Sequence, residues 1–141
     1  MTGKYLINCQ SGPNELESAT VSMIVAGAAA AMEAETAVFL TCDAVRLATK
    51  GGMDGLQQEG YPTLSDLQDA FAENGGQLWV CPVCAAARGI TADDLVENAE
   101  IAGAARTIGF VDDMAPSCSC DDAMVETWGC LASGIFSRVR V

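Results

Sequence analysis

The chain has 141 residues, enough for one compact domain with little room for a second. Half of it (50%) is hydrophobic, so a sizeable core can form without staples. Nineteen acidic residues against seven basic ones give a formal charge of -12. That balance argues against a nucleic-acid partner, whose affinity rests on many Lys and Arg contacts to phosphate, and it reads as a solvated surface.

Tyr5-Leu-Ile-Asn-Cys9 is expected to be a short buried strand, broken by the turn residues Gln10-Ser-Gly-Pro-Asn14. Because the N-terminus runs straight into this strand, with no basic segment followed by an apolar one, no secretory leader is expected. Glu15 to Met32 follows as a helix with acids in its first turn and alanines towards its end. Its most apolar part, Ala19 to Met32, is shorter than the roughly 20 residues that cross a bilayer, so no membrane partner is expected and a cytoplasmic protein is. Thr36-Ala-Val-Phe-Leu-Thr41 is an uninterrupted apolar run of the kind buried on both faces of a sheet. Asp43 to Thr49 suits a short helix closed by Gly51 and Gly52, and a mobile stretch runs from Met53 to Pro62.

Leu64 to Glu73 is predicted to be a helix capped by Thr63 or Ser65, with Leu64, Leu67, Ala70 and Phe71 at helical spacing and Asn74-Gly-Gly76 ending it. Gln77-Leu-Trp-Val-Cys81 is the next strand, and Pro82 to Arg88 a short helix stopped by Gly89. Thr91-Ala-Asp-Asp94 is a capping motif that predicts a helix to about Gly103, and Arg106-Thr-Ile-Gly-Phe-Val111 reads as a last strand. Met23, Met32, Phe39 and Phe71 are expected in the core. Alternating strands and helices with continuous apolar strands predict a three-layer α/β/α sandwich around a mostly parallel sheet. The expected division is a domain over residues 1–111 and a Cys-containing extension over 112–141 packed on it, one helix with a short end, Cys130 lying in that helix beside Trp128 and Leu131.

Seven cysteines stand at positions 9, 42, 81, 84, 118, 120 and 130, and there is no histidine. The odd count and the missing leader argue against a secreted disulfide framework and for metal binding or thiol chemistry. Without histidine every Cys–His nucleophile and every mixed Cys/His metal site is excluded.

Sites in open parallel sheets form outside the carboxyl ends of the strands. Three features fall there: the loop holding Ser11 and Gly12, Cys42 with Asp43, and Cys81 with Cys84. Cys81 ends its strand, and Pro82 suits the first position of a helix. Free N–H groups and the positive helix end favour thiolate there, so the Cys81 pKa is expected below the usual thiol value. Arg88 adds positive charge if the segment folds back. Cys84, one helical turn on, lets the pair form a disulfide, share a metal or pass sulfur. Cys118-Ser-Cys120 is a second close pair, and Cys81, Cys84, Cys118 and Cys120 together offer a four-thiolate zinc site as an alternative. Cys9 reads as core, while Cys42 suits either a core or a functional reading. Ser11-Gly12-Pro13 lacks the glycine spacing of a dinucleotide loop and the Lys of a P-loop.

Trp79-Val-Cys-Pro-Val-Cys-Ala-Ala-Ala-Arg-Gly-Ile90, followed by an acidic helix start, resembles the DsrE/DsrF/TusD-like proteins of sulfur relay, where a strand ends in a cysteine followed by small residues and Arg-Gly. The resemblance covers about residues 3 to 111, and Cys84 and the extension are additions to the TusD-type pattern. It implies a sheet of about five strands, a homotrimer or homohexamer, and a cysteine that carries sulfane sulfur as a persulfide. On that match Cys81 is the sulfur-bearing thiol, with Cys84 as its catalytic partner, and Ser11, Gly12, Cys42 and Arg88 are the expected substrate-binding residues. Protein sulfur donors and acceptors would be the partners, and no cofactor is expected. A dithiol redox protein using Cys81 and Cys84 is the alternative, beside the zinc module.

Overall fold

The computed structural model of the protein describes residues 3–114, 128–131 and 135–138. Its first strand, β1 (Lys4–Cys9), leads through the Ser11–Asn14 turn into α1 (Leu16–Ala31), and β2 (Glu35–Leu40) pairs parallel to β1. A 3₁₀ segment (Cys42–Ala48) and α2 (Leu64–Glu73) connect β2 to β3 (Gln77–Val80). The short α3 (Pro82–Ala87) leads to β4 (Ala99–Ile101), and α4 (Ala104–Met114) follows. Two further strands, β5 (Trp128–Leu131) and β6 (Ile135–Arg138), complete a six-stranded sheet in the order β4-β3-β2-β1-β6-β5. β1 to β4 are parallel; β6 lies antiparallel to β1, and β5 antiparallel to β6.

Strand side chains alternate between the two faces, and both are covered. Ile7, Val38, Leu40, Leu78 and Val80 join Met23, Ala26, Leu64 and Phe71 in one cluster beneath α1 and α2. Leu6, Ala37 and Trp79 point the other way, where Phe110 of α4 meets the Trp79 ring edge-on at 5.0 Å. Each large side chain buried this way contributes about 1.5–3 kcal/mol. Because α1 puts alanines at positions 19, 26 and 30 against the core, helix and sheet approach closely. Its outer face is apolar as well, with Val21 and Ile24 exposed.

The expected helix over Leu64–Glu73 forms, with the Asp66 N–H donating to Thr63 Oγ1 at 3.2 Å as its cap. Four expectations are corrected. Residues 106–111 are helix, not strand: Thr107, Phe110 and Val111 pack inward at helical spacing while Ile108 is 60% exposed. Residues 91–103 do not form a helix. The capping box at Thr91 and Asp94 is made, but it closes a single 3₁₀ turn (Ala92–Asp94), because Leu95 is drawn into the core and the chain runs extended into β4. In the extension Cys130 lies in β5, not in a helix; β5 and β6 extend the sheet beyond β1, whose backbone would otherwise be an unpaired edge. Met32 is 57% exposed, because it caps α1 beyond the last buried turn.

Phe71 is fully buried, and a Cβ on Gly76 would stand 2.2 Å from its ring. Gly76→Ala is therefore expected to destabilise the fold by about 1–3 kcal/mol through overpacking, read as a lower urea midpoint at unchanged m-value.

Candidate functional site

The strand register fixes where the site can be. Cys9 is level with Leu40, Leu40 with Val80, and Val80 with Ile101, so the loops after β1 to β4 leave the sheet along one edge. The ladder continues one step into these loops: the N–H of Thr41 donates to the Cys9 carbonyl and that of Cys81 to the Leu40 carbonyl, each at 3.0 Å.

Cys81 is the N-cap of α3 and Pro82 its first residue, as the sequence predicts. Among the described residues no hydrogen bond of standard geometry caps α3 through the Cys81 side chain, yet the first-turn N–H groups lie close enough to act on the sulfur. Burial pushes the Cys81 thiol up, but the N–H and side chain of Cys84, with the N–H of Val83, outweigh it and hold the thiol below its ordinary value. Cys84 goes the other way. The Cys42 N–H favours its charged form, but burial, the hydrogen bond with Cys81 and the charges of Cys81 and Cys42 together raise it. The two thiols are thus shifted in opposite directions, Cys81 downward and Cys84 upward.

Cys42 joins this pair from the next loop. Its N–H donates to Cys84 Sγ at 3.1 Å, and its own thiol is exposed. The backbone there has φ +52°, in the left-handed region that few residues other than glycine, asparagine and aspartate adopt. Gly12 supports the turn from β1: a Cβ at Gly12 would lie 2.4 Å from the Asp43 carbonyl oxygen, so only glycine allows the two loops to meet.

Arg88 folds back towards the site and is engaged there by two groups. Its Nη1 donates to the Cys84 carbonyl at 3.2 Å, and its Nε lies 3.7 Å from Asp43 Oδ1. The same carboxylate oxygen pairs with Arg46 Nε at 2.9 Å, so one Asp43 ties two guanidinium groups to the rim of the site. Ser11 is directed elsewhere, its hydroxyl bonding Glu15 at 3.0 Å and Ser18 at 3.1 Å. Cys9 is core, as expected: burial raises its thiol, which donates to the Ser11 carbonyl at 3.3 Å.

The structure thus brings together Cys42, Cys81, Cys84, Arg88 and Gly12 but not the Ser11 hydroxyl. Sequence reasoning had placed Asp43 at this edge without giving it a part, and had missed Arg46. A carboxylate next to Cys42 with an arginine three residues on was the available signal. Also at this edge, Asn8 Oδ1 and Thr41 Oγ1 are buried without a hydrogen-bond partner among the described residues. Cys118 and Cys120 lie outside the described residues, and among those described no group of three or more Cys, Asp or Glu is placed to hold a metal ion.

A three-layer α/β/α domain with paired thiols at the carboxyl edge of its parallel strands is the class that fold and site define. Comparison with known proteins narrows this: the sequence matches the DsrE/DsrF-like family over residues 3–115, and the chain belongs to that family. It is similar to an uncharacterized protein of Methanocaldococcus jannaschii, with 32% identity over 107 residues. The alignment covers 76% of this chain but only 38% of that relative's length. In fold it is similar to the crystal structure of the YchN protein from E. coli, with a TM-score of 0.64 and 20% sequence identity over 79% of this chain and 92% of that one. No helix among the described residues is long and apolar enough to cross a membrane.

The opposed shifts of Cys81 and Cys84 can be read by alkylation with iodoacetamide as a function of pH, followed peptide by peptide. Only thiolate reacts, so Cys81 is expected to alkylate with a lower midpoint than Cys84. In Cys84→Ala the Cys81 midpoint moves up, because the donor side chain that favours its thiolate is gone. An unchanged midpoint contradicts this assignment.

Proposed function

We propose that the protein is a sulfane-sulfur carrier: Cys81 accepts the outer sulfur of a donor persulfide and yields it to the thiolate of a partner. The observation that carries this reading is Cys81 standing at a strand end as the N-cap of α3, one turn before Cys84, with the Cys42 loop closed onto the pair. Against its burial, the first-turn N–H groups hold the Cys81 thiol below its ordinary value. Lowering a thiol's pKa raises the fraction present as the nucleophilic thiolate and, once the thiol is sulfurated, makes it a better leaving group. Membership of the DsrE/DsrF-like family supports it, since the resemblance on Trp79 to Ile90 implies a sulfur-bearing cysteine at this position. Donor and acceptor proteins as partners, a homotrimer or homohexamer, and a cytoplasmic location belong to the same reading.

A second reading, a dithiol redox protein, is favoured by the closeness of the Cys81 and Cys84 side chains, one helical turn apart and near enough for each to act on the other's charge. Cys84 attacking the inner sulfur of a Cys81 persulfide would join both readings, releasing hydrogen sulfide and leaving a Cys81–Cys84 disulfide.

Intact mass of the anaerobically handled protein, before and after a sulfane-sulfur donor, separates them. The carrier reading expects whole sulfur atoms to be gained by wild type and not by Cys81→Ser. Full loading of Cys81→Ser overturns the assignment, and loss of two hydrogens without sulfur gain supports the redox reading.

A further inference from the structure

Cys42 combines three properties that a spacer residue would not need. Its N–H contacts Cys84 Sγ at 3.1 Å, which places it against the thiol pair from a separate loop. Its side chain is exposed, whereas Cys81 and Cys84 are half-buried. Its backbone is held at φ +52°, a left-handed conformation that is strained for a residue with a side chain. Glycine or asparagine would make the same turn more cheaply. The strain is sustained because the chain is anchored on both sides, by fully buried Leu40 before the turn and Ala44 and Val45 after it.

We propose that Cys42 is a third sulfur-handling thiol of this site, the outward acceptor to which sulfane sulfur on Cys81 is handed before it leaves the protein. The inference rests on the carrier reading above. In a Cys81 persulfide the outer sulfur stands about 2 Å beyond the Cys81 sulfur. The Cys42 thiolate attacks that outer sulfur; the S–S bond to Cys81 breaks as the S–S bond to Cys42 forms. The transferred sulfur keeps its proton, and Cys81 departs as thiolate, so nothing is oxidised or reduced overall. A low-pKa thiolate leaves readily, which favours this direction. Cys84, whose thiol is raised above its ordinary value, is the weaker competitor for the same sulfur. Cys42 has the exposed side chain of the three, and from it the sulfur is available to a partner thiol. The substrate class is therefore a thiol that reaches the exposed rim of the site, whether small or borne on a protein.

The test uses the full chain as wild type, Cys42→Ser, Cys42→Gly and Cys81→Ser, each loaded anaerobically with inorganic polysulfide and discharged with excess N-acetylcysteine. Cys42→Gly removes the thiol while relieving the left-handed backbone, so it guards against a folding defect. Both Cys42 variants are expected to discharge whatever sulfur they load about tenfold more slowly than wild type, each rate being taken relative to the loaded fraction. Peptide mapping of blocked persulfides is expected to find sulfur on Cys42 in wild type and to lose it in Cys81→Ser. Discharge at the wild-type rate in both Cys42 variants overturns the inference and leaves the carrier reading standing. So does equal sulfur on Cys42 with and without Cys81. Failure of wild type to load overturns both.

Discussion

The turn after β2 is the constraint on which the site depends. At Cys42 the chain must leave the sheet edge in a left-handed conformation, and only then does its N–H face the sulfur of Cys84. Left to itself such a turn would relax, since a cysteine gains nothing there from its own side chain. It is held from three directions. The 3₁₀ segment that follows buries Ala44, Val45, Leu47 and Ala48 almost completely. The Gly12 loop packs directly on the Asp43 backbone. The Asp43 side chain is clamped by arginines from its own segment and from the end of α3. Strain of a few kcal/mol is kept in this way only where the surroundings over-determine the backbone.

From that turn follows the way the thiols are set against each other. With no histidine in the chain and Arg88 engaged by Asp43 and the Cys84 carbonyl, a neighbouring cation is not what lowers Cys81. The work falls to backbone N–H groups of α3 and to the Cys84 thiol, which act at contact distance and are little affected by the charge of -12 spread over the surface. Cys84 is suited to that part because, against the pull of the Cys42 N–H, burial and then its neighbours Cys81 and Cys42 raise it.

Much of this was legible locally. An apolar run followed by Cys-Pro reads as a strand end and a helix start whatever lies around it, since Pro82 fixes its own φ and needs no N–H partner. The Thr63 cap and the glycines closing α2 are likewise local chemistry. The Cys42–Cys84 contact was not legible, because it joins residues 42 positions apart and requires a backbone conformation that cysteine does not favour. The stretch from Thr91 to Val111 misled for the opposite reason. Its local signal, a capping box, is real and is satisfied, but burial of Leu95 and the open edge of β3 outweigh one turn of helix propensity. In residues 106–111 the short apolar run fits both periods, and only the Trp79 and Leu6 surface waiting beneath it selects the helix. The extension carries no cap that would announce a helix, and its described strands take their place from β1, information that sits far away in the sequence.

The clamp on Asp43 ties the shape of the site to its charge. Arg46 and Arg88 share a single carboxylate at the rim, so loss of Asp43 would release two cations beside the thiols rather than one, inside a chain whose total is strongly negative. Their fields would reach about 8–10 Å at ordinary salt, far enough to cover the thiol edge and little beyond it. One side chain therefore both holds the turn and neutralises part of the charge next to it, and the two cannot be altered separately.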